Sequence, residues 1–336
     1  MGNLPEIDFV YPWVDGDDPV FAARLQEWRK KYAELRGEPP HPEADAPRRF
    51  RGLDNLRFSL RSVAQNAPWF RKLFIVTNGQ VPDWLRQSER VQIVEHSQIF
   101  PDPAHLPTFS VFPIEWSIPN IPGLGRYFIY MNDDCFFTSP TSPEYFFGRN
   151  GLQKLFFSSR RVERNPAFPG LWDRMLRTNA ELLDARFGAR DWYPEAHGPT
   201  LFDSHRLAEV RSNWAGEIDK VFSHKFRDET DAKMQFLYTN SLLALDERKS
   251  TSDRYEAVTL ADDELRLIHV GADGLPWQQE FQEVLARRPR FLCLNDDGPA
   301  ENFAEIEMAH RAFLKALFPK PSAFEKGLFR RIFGKR

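Results

Sequence analysis

Arg126-Tyr127-Phe128-Ile129-Tyr130-Met131-Asn132-Asp133-Asp134-Cys135-Phe136-Phe137 is the stretch from which the rest of the chain is best read. Tyr127–Met131 is an apolar, aromatic and β-branched run, long enough for a buried strand and too short for a helix. It stops at three oxygen-bearing side chains, Asn132, Asp133 and Asp134. The carboxyl ends of buried strands are where open α/β sheets bind ligands. Paired hard oxygens there suit a divalent cation holding a diphosphate, because Mg²⁺ favours a carboxylate or two together with phosphate oxygens. Taken alone, the triplet reads better as a polar loop or helix cap. Features elsewhere in the chain reverse that preference.

On the amino-terminal side, Ile7–Tyr11 reads as a first strand running into a turn, Pro12-Trp13-Val14-Asp15-Gly16-Asp17-Asp18-Pro19, whose last proline is placed to open a helix. Phe21, Leu25, Trp28, Tyr32 and Leu35 then recur at helical spacing. Residues 36–50 hold four prolines and read as a loop. A second helix, Leu53–Asn66, carries Leu53, Leu56, Leu60 and Val63 on one side and Arg57 with Arg61 on another. A solvated basic face is the plain reading of that pair; two adjacent guanidinium groups beside a phosphate site would clamp a diphosphate.

Leu73–Thr77 and Val91–Val94 are further buried strands, ending at Asn78-Gly79-Gln80 and Glu95-His96. Strands alternating with helices imply βαβ units, so the expectation is an α/β fold with a mostly parallel twisted sheet and helices on both faces. Ligand groups should gather on the strand-end loops, at Asp15, Asn78, His96 and Asn132–Asp134. The segment Ser97–Ser110, with His105 and Thr108, reads as an active-site loop or as plain surface.

The second half adds a strand at Lys154–Ser158 and a helix from Leu171 to Phe187. His197 lies between helix breakers in Tyr193–Pro199; a lone histidine is more often structural, but a loop imidazole can reach substrate. Helices are expected from near Asp203 and around Asp231–Leu245, the latter preceded by the basic cluster Ser223–Arg227. Leu265–Val270 and Phe291–Leu294 read as the last strands. The second ends in Asn295-Asp296-Asp297-Gly298, repeating the strand-then-carboxylate pattern. Two such ends can converge on one metal–phosphate site. A helix over Ala304–Leu317 and the prolines 319 and 321 close the domain, giving one unit over residues 1–320 and a tail over 321–336. In that tail Phe324, Leu328, Ile332 and Phe333 share a helical face amid lysines and arginines. Such an end can lie on an anionic membrane surface or simply fray.

Composition narrows the classes. The 336 residues are 42% hydrophobic and include 30 Phe, enough for a large core and unlike a disordered chain. A net charge of −3 makes no general case for nucleic acid. Two cysteines, Cys135 and Cys293, argue against a disulfide framework and fit a reducing cytosol, and neither spacing resembles a zinc site. There is no charged-then-apolar leader, and no apolar run approaches about 18 residues. A cytoplasmic protein is expected, soluble or docked on the inner face of the membrane by its tail.

These blocks together carry a resemblance. Ile7–Gly16 resembles the first conserved block of the Stealth family. Leu56–Ser62, Ala67-Pro68-Trp69, Ile75–Gln80, His105–Ser110 and Tyr130–Asp134 resemble its second. His197-Gly198-Pro199 through His224–Arg227 and Met234-Gln235-Phe236 resemble the third, and Phe291–Asp297 the fourth. They follow family order over about residues 7–318. The family includes bacterial capsular polysaccharide phosphotransferases and the animal N-acetylglucosamine-1-phosphotransferase that tags lysosomal enzymes.

The resemblance implies a nucleotide-sugar-transferase-like (GT-A, Rossmann-like) core with Mg²⁺ or Mn²⁺. It also implies transfer of a sugar 1-phosphate from a UDP-sugar to a hydroxyl of a polysaccharide or oligosaccharide acceptor, with release of UMP. Asp133 and Asp134 would hold the metal, helped by Asn295 and Asp296. Arg57, Arg61 and Arg227 would neutralise phosphoryl charge. His197, matching the third-block histidine, would be the general base, with Asp134 the alternative. The turn Trp13, Val14, Asp15 and Gly16 would receive uridine and ribose, with Asn78, His105, Thr108 and Asn132 also at the substrate. The chain departs from the pattern at Arg51-Gly52-Leu53-Asp54-Asn55, where relatives carry an Arg-Asp-x-x-Glu-like run. Asp54 is the nearest stand-in. A glycosyltransferase attacking the anomeric carbon of the same donor is the runner-up, and a non-catalytic glycan- or cation-binding relative is the third reading.

Overall fold

The structure, a computed structural model, describes residues 5–148, 151–165, 167, 170–248 and 254–327. The strands are β1 (Ile7–Pro12), β2 (Leu73–Thr77), β3 (Val91–Glu95), β4 (Tyr127–Tyr130), β5 (Cys135–Phe137), β6 (Gln153–Phe157), β7 (Thr200–Asp203), β8 (Tyr255–Thr259), β9 (Leu265–Val270) and β10 (Phe291–Asp296). Helices α1 (Pro19–Arg36) and α2 (Asn55–Asn66) follow β1, while α3 (His96–Ile99) and α4 (Val111–Ser117) lie between β3 and β4. Then come α5 (Leu171–Phe187), α6 (Ser204–Asn213), α7 (Ala215–Ser223), α8 (Met234–Arg248), α9 (Trp277–Arg287) and α10 (Phe303–Leu317).

The main sheet has the order β3-β2-β1-β4-β7. Its first four strands are parallel, and β7 closes the edge antiparallel to β4, with Tyr130 opposite Thr200. Chain order therefore reverses between β1 and β4, and the carboxyl ends of those two neighbours flank the switch point of the sheet. Both faces are covered, as the continuous apolar runs require. Val10, Phe74, Val76, Phe128 and Tyr130 pack toward α4–α8, whereas Phe9, Tyr11, Ile75, Ile129 and Met131 pack with α2 and β5.

The expected mostly parallel sheet is present but divided. Beside the main sheet, β5, β10 and β9 form a second one and β6 pairs with β8 in a third. Strands β9 and β10 are parallel, and β5 runs antiparallel to β10 with Cys135 opposite Cys293. That pairing brings the end of β10 beside the end of β4. A separate core of Ile268, Trp277, Phe281, Leu292 and Phe313 holds β9 and β10 to α9 and α10.

Among the described residues no helix is long and apolar enough to cross a membrane. Of the tail read as an amphipathic end, Phe324 packs on Phe70 with ring centroids 5.8 Å apart. Glu325 bridges to Leu85 and Lys326 N–H donates to the Trp84 carbonyl. Residues 324–326 thus pack against the body of the fold, past residue 320. Leu328, Ile332 and Phe333 lie outside the described residues.

Candidate active site

A cavity of about 310 Å³ opens at the carboxyl ends of the parallel strands. Trp13 and Val14 reach it from the end of β1, Asn78 from β2, His96 from β3, and Asn132, Asp133 and Asp134 from β4. Thr108 comes from the segment before α4, and the carboxyl end of β10 adds Asn295, Asp296 and Asp297. His197 and Arg227 complete the set from the second half of the chain. The two acidic triplets thus meet in one place because β5 pairs with β10.

The chain turns sharply after β4. The Asn132 carbonyl accepts from Cys135 N–H at 3.2 Å, and Leu294 N–H donates to the Asp134 carbonyl at 3.0 Å, so the acidic turn is fastened to β10. Tyr130 Oη lies 2.8 Å from both Asn132 Oδ1 and Glu115 Oε1. Asp133 has no cationic partner among the described residues. Burial, and then the charge of Asp134, push its carboxyl up to about 7 despite the turn's own N–H groups. His197 Nε2 is 4.0 Å from Asp134 Oδ2 and has no hydrogen-bond partner among the described residues. Two adjacent carboxylates with no arginine or lysine at ion-pair distance among the described residues, both hard donors, fit a divalent cation. Behind them Cys135 and Cys293 are free thiols, and one ligand atom each from Asp134, Cys135, His197 and Cys293 falls within 4.8 Å of the others. Spacing in the chain carried no sign of that second grouping.

The opposite sign of charge is gathered on the same cavity. Arg227 sits 5.4 Å from the Phe112 ring centroid and has no carboxylate at ion-pair distance among the described residues; its pKa is lowered by burial. Arg49 is likewise without a carboxylate partner. Burial first, and then the neighbouring Arg227 and Arg48, bring it down to about 9. Arg48 is 3.9 Å from Asp297. This arginine loop is positioned by Gly16, where a Cβ would come 2.1 Å from the Phe50 carbonyl oxygen; only glycine lets the two segments touch.

Several expected site residues are placed elsewhere. Arg57 and Arg61 do not line the cavity; Arg61 Nε and Arg57 Nε each donate to Glu325 at 2.7 Å, so the pair is a structural clasp. Asp296 lines the cavity, but its carboxylate is engaged by Arg51, which also donates to the Gly298 carbonyl at 2.7 Å, so unlike Asp133 it already has a counter-charge. Asp15 and Gly16 do not line the cavity: Asp15 N–H donates to Gln80 Oε1 at 2.9 Å, and Gln80 Nε2 donates back to the Asp15 carbonyl at 2.8 Å. His105 stacks on Phe222 at 5.6 Å and also lies off the cavity. Asp54 is 3.5 Å from Arg311, whereas Asn55, last in the departing run, lines the cavity and accepts from His310 Nε2 at 2.7 Å.

Sequence reasoning missed Arg48, Arg49, Glu115, Trp172, Glu195 and Lys233, all on the cavity wall. Three arginines within four positions after Pro47 were a signal; the others had none. Glu115 is buried, and burial pushes it up to about 7 although its bond to Tyr130 opposes the shift.

Four family models match the chain in order: Stealth protein conserved region 1 over residues 5–33, conserved region 2 over 49–155, conserved region 3 over 196–240 and conserved region 4 over 282–330. An exopolysaccharide phosphotransferase of Streptomyces coelicolor is 34% identical over 96% of the chain and 54% of its own length. Those of Nocardia farcinica and Mycobacterium tuberculosis (CpsY) are 31% and 32% identical over 96% of the chain and 61% and 58% of theirs. The chain thus spans between half and two thirds of these relatives. Among solved structures, the galactosyltransferase LgtC with donor and acceptor sugar analogs aligns over 96% of the chain and 99% of its own, at 12% identity and a TM-score of 0.44.

Proposed function

The chain belongs to the Stealth family, and from that premise we propose that it transfers a sugar 1-phosphate from a UDP-sugar to an acceptor glycan hydroxyl, releasing UMP, in cell-surface polysaccharide synthesis. One observation carries the reading. Carboxylates at Asp133 and Asp134 and guanidinium groups at Arg49 and Arg227 line a single cavity, and among the described residues neither carboxylate has an arginine or lysine, and neither guanidinium a carboxylate, at ion-pair distance. A cation with a diphosphate is the ligand that satisfies both signs at once.

In this reading Trp13, Val14 and Asn78 hold the nucleoside over the ends of β1 and β2. Arg49, Arg227 and Arg48 neutralise the charge that spreads over the phosphoryl oxygens as the bonds change. Asp133 and Asp134, with Asn295, hold Mg²⁺ or Mn²⁺, whose chemistry is to screen the diphosphate. His197 takes the proton of the acceptor hydroxyl as that oxygen attacks the β-phosphorus. The bond from the β-phosphorus to the bridging oxygen breaks, and UMP leaves with that oxygen. Asp134, 4.0 Å away, stabilises the imidazolium that results. The work of the site is in-line placement and electrostatics.

The test incubates the chain with a panel of UDP-sugars, Mg²⁺ or Mn²⁺ and short acceptor glycans, and scores the nucleotide released. UMP is expected. UDP would mean attack at the anomeric carbon and would reject the proposal.

A further inference from the structure

The wall of the cavity built by α5, the 193–199 segment and the start of α8 differs from the phosphate side. Glu195 is held rigidly: it bridges to Phe157 at the end of β6, and its neighbours are fixed by Ser158 N–H to the Pro194 carbonyl at 2.8 Å and Ala196 N–H to the Phe156 carbonyl at 2.9 Å. Its side chain is only 8% exposed. One oxygen, Oε1, accepts from Lys233 Nζ at 3.0 Å, while the other, Oε2, is buried on the cavity wall with no hydrogen-bond partner among the described residues. A desolvated carboxylate oxygen without a donor is costly, and a hydroxyl would satisfy it. Lys233 Nζ also lies 3.6 Å from the centroid of the Trp172 ring, fixing an indole that remains 39% exposed at the cavity.

We propose that Trp172, Glu195 and Lys233 form a pyranose subsite that seats the acceptor glycan. A flat apolar ring beside a hydrogen-bond-accepting carboxylate matches a sugar, which offers C–H faces and hydroxyl donors. Paired with Glu195, Lys233 leaves this wall without net positive charge, so the diphosphate is better served on the arginine side. Both donor and acceptor contain a pyranose. The acceptor is favoured because Glu195 is two residues from His197 on one fixed segment, and so presents the sugar's hydroxyl to the proposed base. The subsite rests on the transfer reading, but its test fails separately.

The test uses the full chain with Mg²⁺ and measures binding of three probes by calorimetry and saturation-transfer NMR. The probes are UDP, UDP-glucose, and a panel of methyl glycosides and disaccharides of glucose, galactose, mannose and N-acetylglucosamine. At least one saccharide should bind, and its affinity should fall about tenfold or more in Trp172→Ala and Glu195→Gln. Trp172→Phe, which keeps a ring and reports on folding, should retain most of it. The ratio of UDP-glucose to UDP affinity should not move. The proposal is overturned if no saccharide binds, if saccharide affinity is unchanged in both variants, or if the loss appears in UDP-glucose relative to UDP, which would make this a donor-sugar site. UDP instead of UMP release, with saccharide binding intact, would reject the reaction and leave the subsite standing.

Discussion

Two sets of arginines in this chain look alike in charge and differ in everything else. Arg57 and Arg61, four apart on α2, share a face and converge on Glu325: Arg61 donates through Nε at 2.7 Å and Nη2 at 2.8 Å, and Arg57 through Nε at 2.7 Å. Ser322 N–H donates to the same carboxylate at 2.8 Å, and Arg61 Nη1 also donates to the Phe318 carbonyl at 3.0 Å. Charge there is closed. Arg49 and Arg227, from two segments far apart in sequence, meet at the cavity with no carboxylate at ion-pair distance among the described residues and with pKa values lowered by burial. Charge there is open. Spacing says which side chains share a face; only the completed fold says whether that face has already met its counter-charge. A closed set holds the molecule together, and an open one awaits a ligand.

The contrast breaks most sharply at Arg61. Replacing it with alanine leaves Glu325, whose side chain is 3% exposed, with Arg57 as its one cationic partner among the described residues. The expected loss is about 3–5 kcal/mol of unfolding free energy in a denaturant titration. Turnover per folded molecule should stay at the wild-type value, and a turnover loss without a stability loss would put Arg61 back in the site. Arg227→Ala should do the reverse. Stripped of an open cation, the site should lose about 10²–10³-fold in kcat while the unfolding transition hardly moves. A variant that unfolds early yet turns over normally would show Arg227 to be structural.

The same distinction explains what could be read from the chain alone. Strands β1, β2, β4 and β10 are buried apolar runs, so pattern found them and placed Asn78, Asn132–Asp134 and Asn295 at strand ends. Strand β5 escaped because three residues directly after a turn carry no periodicity. β8 escaped because its face is largely exposed and its alternation weak. Yet β5 is what joins the two acidic triplets, through Cys135 opposite Cys293. Asp296 looked equivalent to Asp133 in sequence and is not, since Arg51 reaches it across 245 positions. Trp172, Glu195 and Lys233 come from three unrelated segments and could not be grouped before the fold existed.

The finest test is at the rim of the clasp. Arg57 is 24% exposed and shares Glu325 with Arg61, so Arg57→Ala should cost about 1 kcal/mol or less near neutral pH. Acid then tells whether that small term is electrostatic. Burial alone would raise the Glu325 pKa, but bonds from Arg61, the Ser322 N–H and Arg57 bring it from 4.5 down to about 2. A carboxyl lowered on folding contributes stability that is fully present above about pH 4.5 and is lost as pH falls toward 2. Other acidic groups titrate alike in both proteins and cancel in the difference between wild type and Arg57→Ala. Unfolding free energies from pH 6 to pH 2 should therefore show a constant gap at the upper end that closes through the lower one. A gap that persists at pH 2 would trace to packing of Arg57 near Trp84, 5.8 Å from its ring centroid, and not to the Glu325 carboxylate.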